Sequence, residues 1–389
     1  MRIVTASALC LLLAVGMNTR PVAQAQFSFD WPAIASRLVT QLAPRPGERI
    51  LIVAHPGLFE GLVPHLRYAI ARSGATDVGV VDVLAEPVPD GWDLDALRRG
   101  NARAREAYRA MFAGVDAAIM MPGATPAHPA YGALQDLLRE GRRTVHFHWV
   151  ENGSAYPLPG QPLPGRSVID AVYQRALLQT DYAALARVLE RFERALRTGE
   201  VRVTSASGTD LRFRVGSRTV TRQDGDASAA RAERGKVLID REIELPAGAA
   251  RVAPLEDTVE GTVVFPPSQW SGRPVEGLRL QFARGQVARI EATSGREAVE
   301  REMQAAGESG RRFREFALGF NTLLAVPDET PWIPYYGYGA GVVRLSLGDN
   351  SELGGAVSGG YVRWNFFTDL TVTVNGTVWV KEGRLTVPE

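Results

Sequence analysis

Hydrophobic positions along this chain follow two textures, and the change comes near residue 197. Before it, short apolar runs alternate with helically spaced segments. Arg49-Ile-Leu-Ile-Val-Ala54 reads as a strand closed by the turn His55-Pro56-Gly57. Leu62 to Arg72 follows with apolar residues at Leu62, Leu66 and Ile70 and stops at Gly74. Asp77–Leu84, Val115–Met121 and Arg143–Val150 read as further strands, and 101–112 and 131–140 as helices between them. Asp181 to Arg197 is a long amphipathic helix that ends the region. Strands alternating with helices predict an α/β domain with a parallel, doubly wound sheet.

From Val201 onward the period drops to two. Val201–Ser205, Asp210–Val215, Thr258–Phe265, Gly277–Phe282, Gln286–Ala292, Val342–Leu347 and Leu370–Val374 alternate between polar and apolar residues. Asn375-Gly376 and Glu382-Gly383 are hairpin turns by composition. One helix, Glu297–Ala306, interrupts the strands. The expectation is a β-rich α+β C-terminal domain. The domain limits are then 1–25 for a leader, 26–197 for the α/β part and 198–389 for the β-rich part.

The leader is read as a secretory signal peptide. Arg2 precedes an apolar stretch from Ile3 to Met17, and Ala23-Gln24-Ala25 is a small-x-small cleavage site. The expected location is therefore exported, periplasmic or extracellular, after cleavage near Ala25. The apolar stretch is too short to predict a membrane span. The only cysteine, Cys10, lies inside the leader, so the mature chain is expected to lack disulfides, thiolate metal sites and cysteine catalysis. The formal charge is +1 for the 389-residue chain, and loss of Arg2 and Arg20 takes it to −1. That balance predicts no nucleic-acid partner.

All five histidines (His55, His65, His128, His146, His148) lie in the first half. His146 and His148, two apart on a strand, face the same way. They are read either as ligands or as residues satisfying hydrogen bonds at a strand end. No phosphate-cradling glycine motif follows the first strand. Pro157–Pro164 is a Pro/Gly-rich loop, read as a cleft cover or a surface connector. Trp332–Tyr338 (WIPYYGY) is read as pocket lining or as loop packing.

Several segments, in order, carry a family resemblance. They are Val203–Phe213, Leu245-Pro-Ala-Gly248 with Ala253-Pro254 and Glu260-Gly261, Glu315-Phe-Ala-Leu-Gly-Phe-Asn321, Arg344–Gly348, Gly354-Gly355 and Arg363-Trp364-Asn365. The closing turns at 374–376 and 381–383 fit the same order, as do Trp149 to Pro157 earlier in the chain. The set resembles the metallo-aminopeptidases of the aminopeptidase T and aminopeptidase S type. Leu347-Gly-Asp-Asn350 also resembles a branch of that fold containing iron-dependent ring-cleaving dioxygenases.

The resemblance implies a homodimeric enzyme that removes N-terminal residues from peptides with divalent metals (zinc, cobalt or manganese). It implies Glu260 and Glu315 as metal ligands, with Glu315 alternatively the catalytic base. Other positions depart from the pattern. Gly339 stands for a glutamate and Arg344 for a histidine, while Arg363 and Asn365 stand for His-x-Asp. A guanidinium has no lone pair to give a metal. The expected metal site is therefore degraded or rebuilt, and the cofactor is a divalent metal if the family site survives and otherwise none. Buried glutamates stripped of metal need other cations, so Arg344 and Arg363 are expected in short contacts with Glu260 and Glu315. Three functions remain open from sequence: an exported aminopeptidase with a rebuilt site, a non-catalytic peptide-binding or interaction protein, and an iron-dependent ring-cleaving dioxygenase-like enzyme; the expected partners are peptides or a small-molecule substrate.

Overall fold

A computed structural model describes residues 27–84, 91–101, 103–123 and 128–388. The expected signal segment, with Cys10, lies outside the described residues.

Five strands form a parallel sheet in the order Thr76–Asp82, Arg49–Ala54, Ala117–Met120, Arg143–Phe147, Glu242–Leu245. The first four are those the apolar runs predict. Arg49–Ala54 and Ala117–Met120 are almost wholly buried, which is why they are continuous apolar runs rather than alternating ones. Helix Tyr182–Leu196 is capped by Asp181, whose side chain accepts from the Ala184 amide, and buries Leu185, Leu189, Phe192 and Leu196. Helices Trp31–Leu42 and Arg166–Gln179 join it and were not anticipated by the pattern reading.

The fifth strand, Glu242–Leu245, comes from the second half of the chain. It pairs in parallel with Arg143–Phe147, placing His146 opposite Glu244. The remaining strands make two antiparallel sheets. One has the order Val362–Phe367, Val343–Gly348, Phe313–Gly319, Ala249–Val252, Thr221–Gln223. The other has eight strands and holds Glu200–Thr204, Asp210–Arg214, Glu260–Val264 and the two closing hairpins. The two sheets pack through pairs such as Phe213–Phe316, with ring centroids 5.2 Å apart. One apolar core runs through both halves, from Ile34 and Ile52 to Val372 and Val380. The fold is thus a parallel α/β layer followed by a strand-rich region, stitched by the fifth strand and by a short pairing of Tyr156–Pro157 with Trp332–Ile333.

Candidate functional site

The five-stranded antiparallel sheet turns a polar row toward the end of the parallel sheet. Across three strands, Arg251 stands opposite Ala317 and Ala317 opposite Arg344. Glu315 lies two residues along the middle strand, on the same face. The small Ala317 side chain leaves room for both guanidiniums to lean toward it. Arg251 Nε donates to Glu315 Oε1 at 2.6 Å, and Arg344 Nη2 donates to the same oxygen at 2.9 Å.

A third arginine arrives by a local irregularity. Between the pairs Phe313–Leu347 and Glu315–Ser346 the middle strand has one extra residue, Arg314. Alternation would send Arg314 to the other face, but the bulge turns it to the same side as Glu315. Its Nη1 lies 3.3 Å from Glu315 Oε2, and its other terminal nitrogen bonds Glu352. Arg251 also reaches Glu352, at 3.3 Å. Glu315, Arg251, Arg314 and Arg344 are all buried. Burial alone would raise the Glu315 carboxyl, but Arg251, Arg344 and Arg314 overcome this and hold it far below the usual carboxylate range.

The facing wall comes from the parallel sheet. Strand alternation puts His146 and His148 on one side, with Glu242 and Glu244 beside them. His146 Nδ1 is 2.8 Å from Glu242 Oε1, which also accepts from Tyr131 Oη at 2.8 Å. Burial opposes ionisation of Glu242, yet the His146 contact and the Tyr131 hydrogen bond hold its carboxyl below the ordinary value. The two imidazoles stack with centroids 3.6 Å apart. Burial, then the neighbouring His146 and Arg251, push the His148 pKa well down, so His148 is neutral. Glu244 accepts from Tyr338 Oη and lies 3.6 Å from Arg251 and 3.9 Å from His148.

Together these walls enclose a pocket of about 520 Å³ at the C-terminal end of the parallel strands. That is the size and place where α/β folds take small ligands. Tyr336 and Trp364 close its sides. Tyr335 and Tyr336 both adopt positive φ, 39° and 53°. This backbone turn points the Tyr336 carbonyl at Arg344 Nη1, at 3.1 Å. Trp364 packs on the Arg344 guanidinium, 5.0 Å from ring centroid to Cζ. It also borders a larger groove of about 1180 Å³, formed by the Pro157–Pro162 loop, Phe265–Gln269 and the sheet-edge strand Val362–Phe367. Six buried side-chain atoms in or beside the pocket have no hydrogen-bond partner among the described residues: His146 Nε2, Glu151 Oε2, Arg314 Nε, Arg344 Nε, Tyr335 Oη and Ser346 Oγ. Orphaned groups of this kind cost about 1–3 kcal/mol each, so they cluster where a ligand or water completes them.

Of the two glutamates and two arginines expected to meet (Glu260, Glu315, Arg344, Arg363), only Arg344 and Glu315 do. The expected four-residue cluster does not form. Glu260 is exposed on a different sheet, where its carboxylate accepts from the Arg284 amide at 2.7 Å. Arg363 turns to Glu302, at 2.6 Å, and lies 3.5 Å over the Trp270 ring. Asn365 donates to the Leu345 carbonyl at 3.1 Å and accepts from Arg363. Gly339 holds a close backbone approach: a Cβ there would lie 1.9 Å from the Leu324 carbonyl oxygen, so no side chain fits. Both histidines whose role was left open do reach the pocket, and Tyr336 lines it while Trp332 and Tyr335 pack behind.

The residues that sequence reasoning missed were Arg251, Arg314, Glu242, Glu244 and Glu352. For Arg251, Arg314, Glu242 and Glu244 the signal was charge inside apolar runs, as in Ala-Ala-Arg-Val-Ala and Phe-Arg-Glu-Phe, whereas Glu352 sits in a polar turn that carried none. Such residues are almost never fully buried unless paired.

A divalent metal does not fit beside Glu315. Its carboxylate is already engaged by three permanent cations, and Arg344 occupies a position where the resemblance puts a histidine ligand. Among the described residues no group of three or more histidine, cysteine, aspartate or glutamate side chains is arranged to hold a metal ion.

The fold and pocket define an α/β protein with a second, strand-rich half whose polar site lies between the two. Residues 179–324 match the model of the thermophilic metalloprotease (M29) family. Among solved structures, the chain is similar to 2,5-dihydroxypyridine dioxygenase from Pseudomonas putida KT2440, at 16% identity and a TM-score of 0.62, covering 92% of this chain and 97% of that one. It is similar also to wild-type AmpT from Thermus thermophilus, at 18% identity and a TM-score of 0.57, covering 92% of this chain and 99% of that one. No curated protein sequence matches. The family match covers residues 179–324 alone, and the two solved structures show a shared fold over most of the chain. Among the described residues no helix is long and apolar enough to cross a membrane.

Proposed function

We propose that this chain is an exported, metal-independent member of its family that binds peptides and does not hydrolyse them. The observation that carries this reading is the set of three guanidiniums on Glu315. They supply the positive charge that dications supply in a metallopeptidase. They offer neither a coordination site nor a means of activating water. Loss of chemistry with retention of the cleft leaves recognition as the remaining role.

Peptide rather than a smaller ligand is favoured by the neighbouring groove. It runs along a strand at a sheet edge and joins the pocket at Trp364. An extended chain matches such an edge. The ring-cleaving iron alternative meets the same obstacle as the peptidase, because Arg363 and Asn365 stand where it needs His-x-Asp. Export rests on the leader composition, and N-terminal sequencing of secreted protein reads the cleavage point directly.

The test pairs metal analysis with turnover and binding. Mature protein is incubated with zinc, cobalt, manganese or iron, desalted, and analysed by plasma mass spectrometry. It is then offered leucyl peptides, with release of leucine and heat of binding both followed. The expected result is no retained metal, no release and saturable binding. Stoichiometric metal together with release of the N-terminal residue would overturn the proposal.

A further inference from the structure

The Tyr131, Glu242 and His146 side chains form a chain that ends on an unused nitrogen. Tyr131 Oη and His146 Nδ1 both lie 2.8 Å from the same Glu242 oxygen. The carboxyl of Glu242 is ionised. An ionised carboxylate only accepts, so the hydrogen on this contact belongs to His146 Nδ1. In a neutral ring the lone pair then sits on Nε2. That atom is buried, and nothing among the described residues donates to it. His146 is 1% exposed and lines the pocket. The stacked neighbour, His148, contacts Tyr336 Oη through Nδ1 at 3.4 Å and lies against Glu244 through Nε2, so it does not fill the gap.

We propose that His146 Nε2 is an acceptor in this pocket for a hydrogen of the bound ligand, and that Glu242 and Tyr131 are positioning residues that fix its tautomer. The ligand group is an N–H or O–H donor. Charge sharpens this. Apart from Glu151, which Arg166 pairs at 2.6 Å, the pocket and the buried pairs behind it hold four carboxylates (Glu242, Glu244, Glu315, Glu352) against three guanidiniums (Arg251, Arg314, Arg344), an excess of one negative charge. A cationic or neutral donor suits that balance, and a carboxylate does not. The inference rests on this pocket being the binding site, but not on the ligand being a peptide.

The test reads the tautomer directly. Protein carrying ¹⁵N-histidine is examined by long-range ¹H–¹⁵N correlation, with the His146 ring assigned by its loss in His146→Gln. The expected pattern is hydrogen on Nδ1 and a bare Nε2, changed in Glu242→Gln. Leucinamide then serves as a cationic donor and phenol as a neutral one. Binding of either is expected to move the Nε2 resonance, and His146→Gln to weaken that binding about tenfold, the loss of one hydrogen bond. Tyr131→Phe, which removes only the outer hydrogen bond, is expected to fold normally and to shift the tautomer balance less. Hydrogen on Nε2 in the wild-type protein, or unchanged binding in a folded His146→Gln variant, would overturn the proposal. Should leucyl peptides fail to bind at all, the peptide reading fails, while the tautomer of the ligand-free protein still decides this one.

Discussion

Arg251 Nε and Glu315 Oε1 are 2.6 Å apart in a fully buried ion pair that joins neighbouring antiparallel strands. Two more arginines share the same carboxylate. Desolvating so many charges is expensive, and only their mutual attraction and hydrogen bonds offset it. A network of this kind is sensitive to removal of its single anion.

Glu315→Gln leaves three guanidiniums without their common counter-charge. It is expected to destabilise the protein by about 3–5 kcal/mol, the range for breaking a buried pair. Urea unfolding of the variant beside the wild type measures it. A change within experimental scatter would mean that Glu352 and Glu244 carry the neutralisation instead.

Arg344→His restores a metal-competent side chain at one position. Arg251 and Arg314 still hold Glu315, so the variant is expected to retain no stoichiometric zinc after desalting. Plasma mass spectrometry decides the point. Tight zinc in this single variant would show that Arg344 alone blocks the site.

The depressed His148 pKa links stability to pH. As pH falls below the unfolded value of about 6.5, the unfolded chain takes up a proton that the folded ring refuses. Stability from this group is therefore complete above about pH 6.5 and declines below it. Glu315, whose carboxyl is held far down, adds a further loss only below the ordinary glutamate value of about 4.3. Denaturation midpoints at about pH 5 and about pH 7.5 test the His148 contribution, with His148→Gln expected to flatten the slope between them.

Arg363 lies away from the pocket's charge network. Its contacts are Glu302 and the Trp270 face. Arg363→Ala is expected to cost about 1–2 kcal/mol through the lost cation–π and ion-pair contacts. Because Arg363 also lines the groove and donates to the Gln269 carbonyl at 2.7 Å, peptide affinity is expected to fall about threefold, roughly 0.7 kcal/mol. Calorimetry and thermal melts on one preparation separate the two effects.

The segment boundaries are largely legible in the sequence. Helix Tyr182–Leu196 and strands Arg49–Ala54, Asp210–Arg214 and Gln286–Glu291 fall within a few residues of the period-based reading. Both closing hairpins turn at Asn375-Gly376 and Glu382-Gly383, with all four residues at positive φ. These features depend on local sequence, so local pattern reveals them. The site was only half legible. Arg344 beside Glu315 followed from the resemblance. Glu260 misled because a strand residue before a glycine carries no mark of which sheet it joins. Arg251 and Arg314 escaped because charge in an apolar run signals burial without naming a partner.

The sequence by itself determined where strands and helices lie, since side-chain period and turn chemistry act within a few residues. Only the tertiary structure decided which of them meet. Docking of Glu242–Leu245 beside Arg143–Phe147 brings Glu242 to His146 across 96 positions of chain. The one-residue bulge turns Arg314 onto the face of Glu315. Both depend on pairing between distant strands, and the register of such pairing is set by the whole packed core rather than by any segment in it.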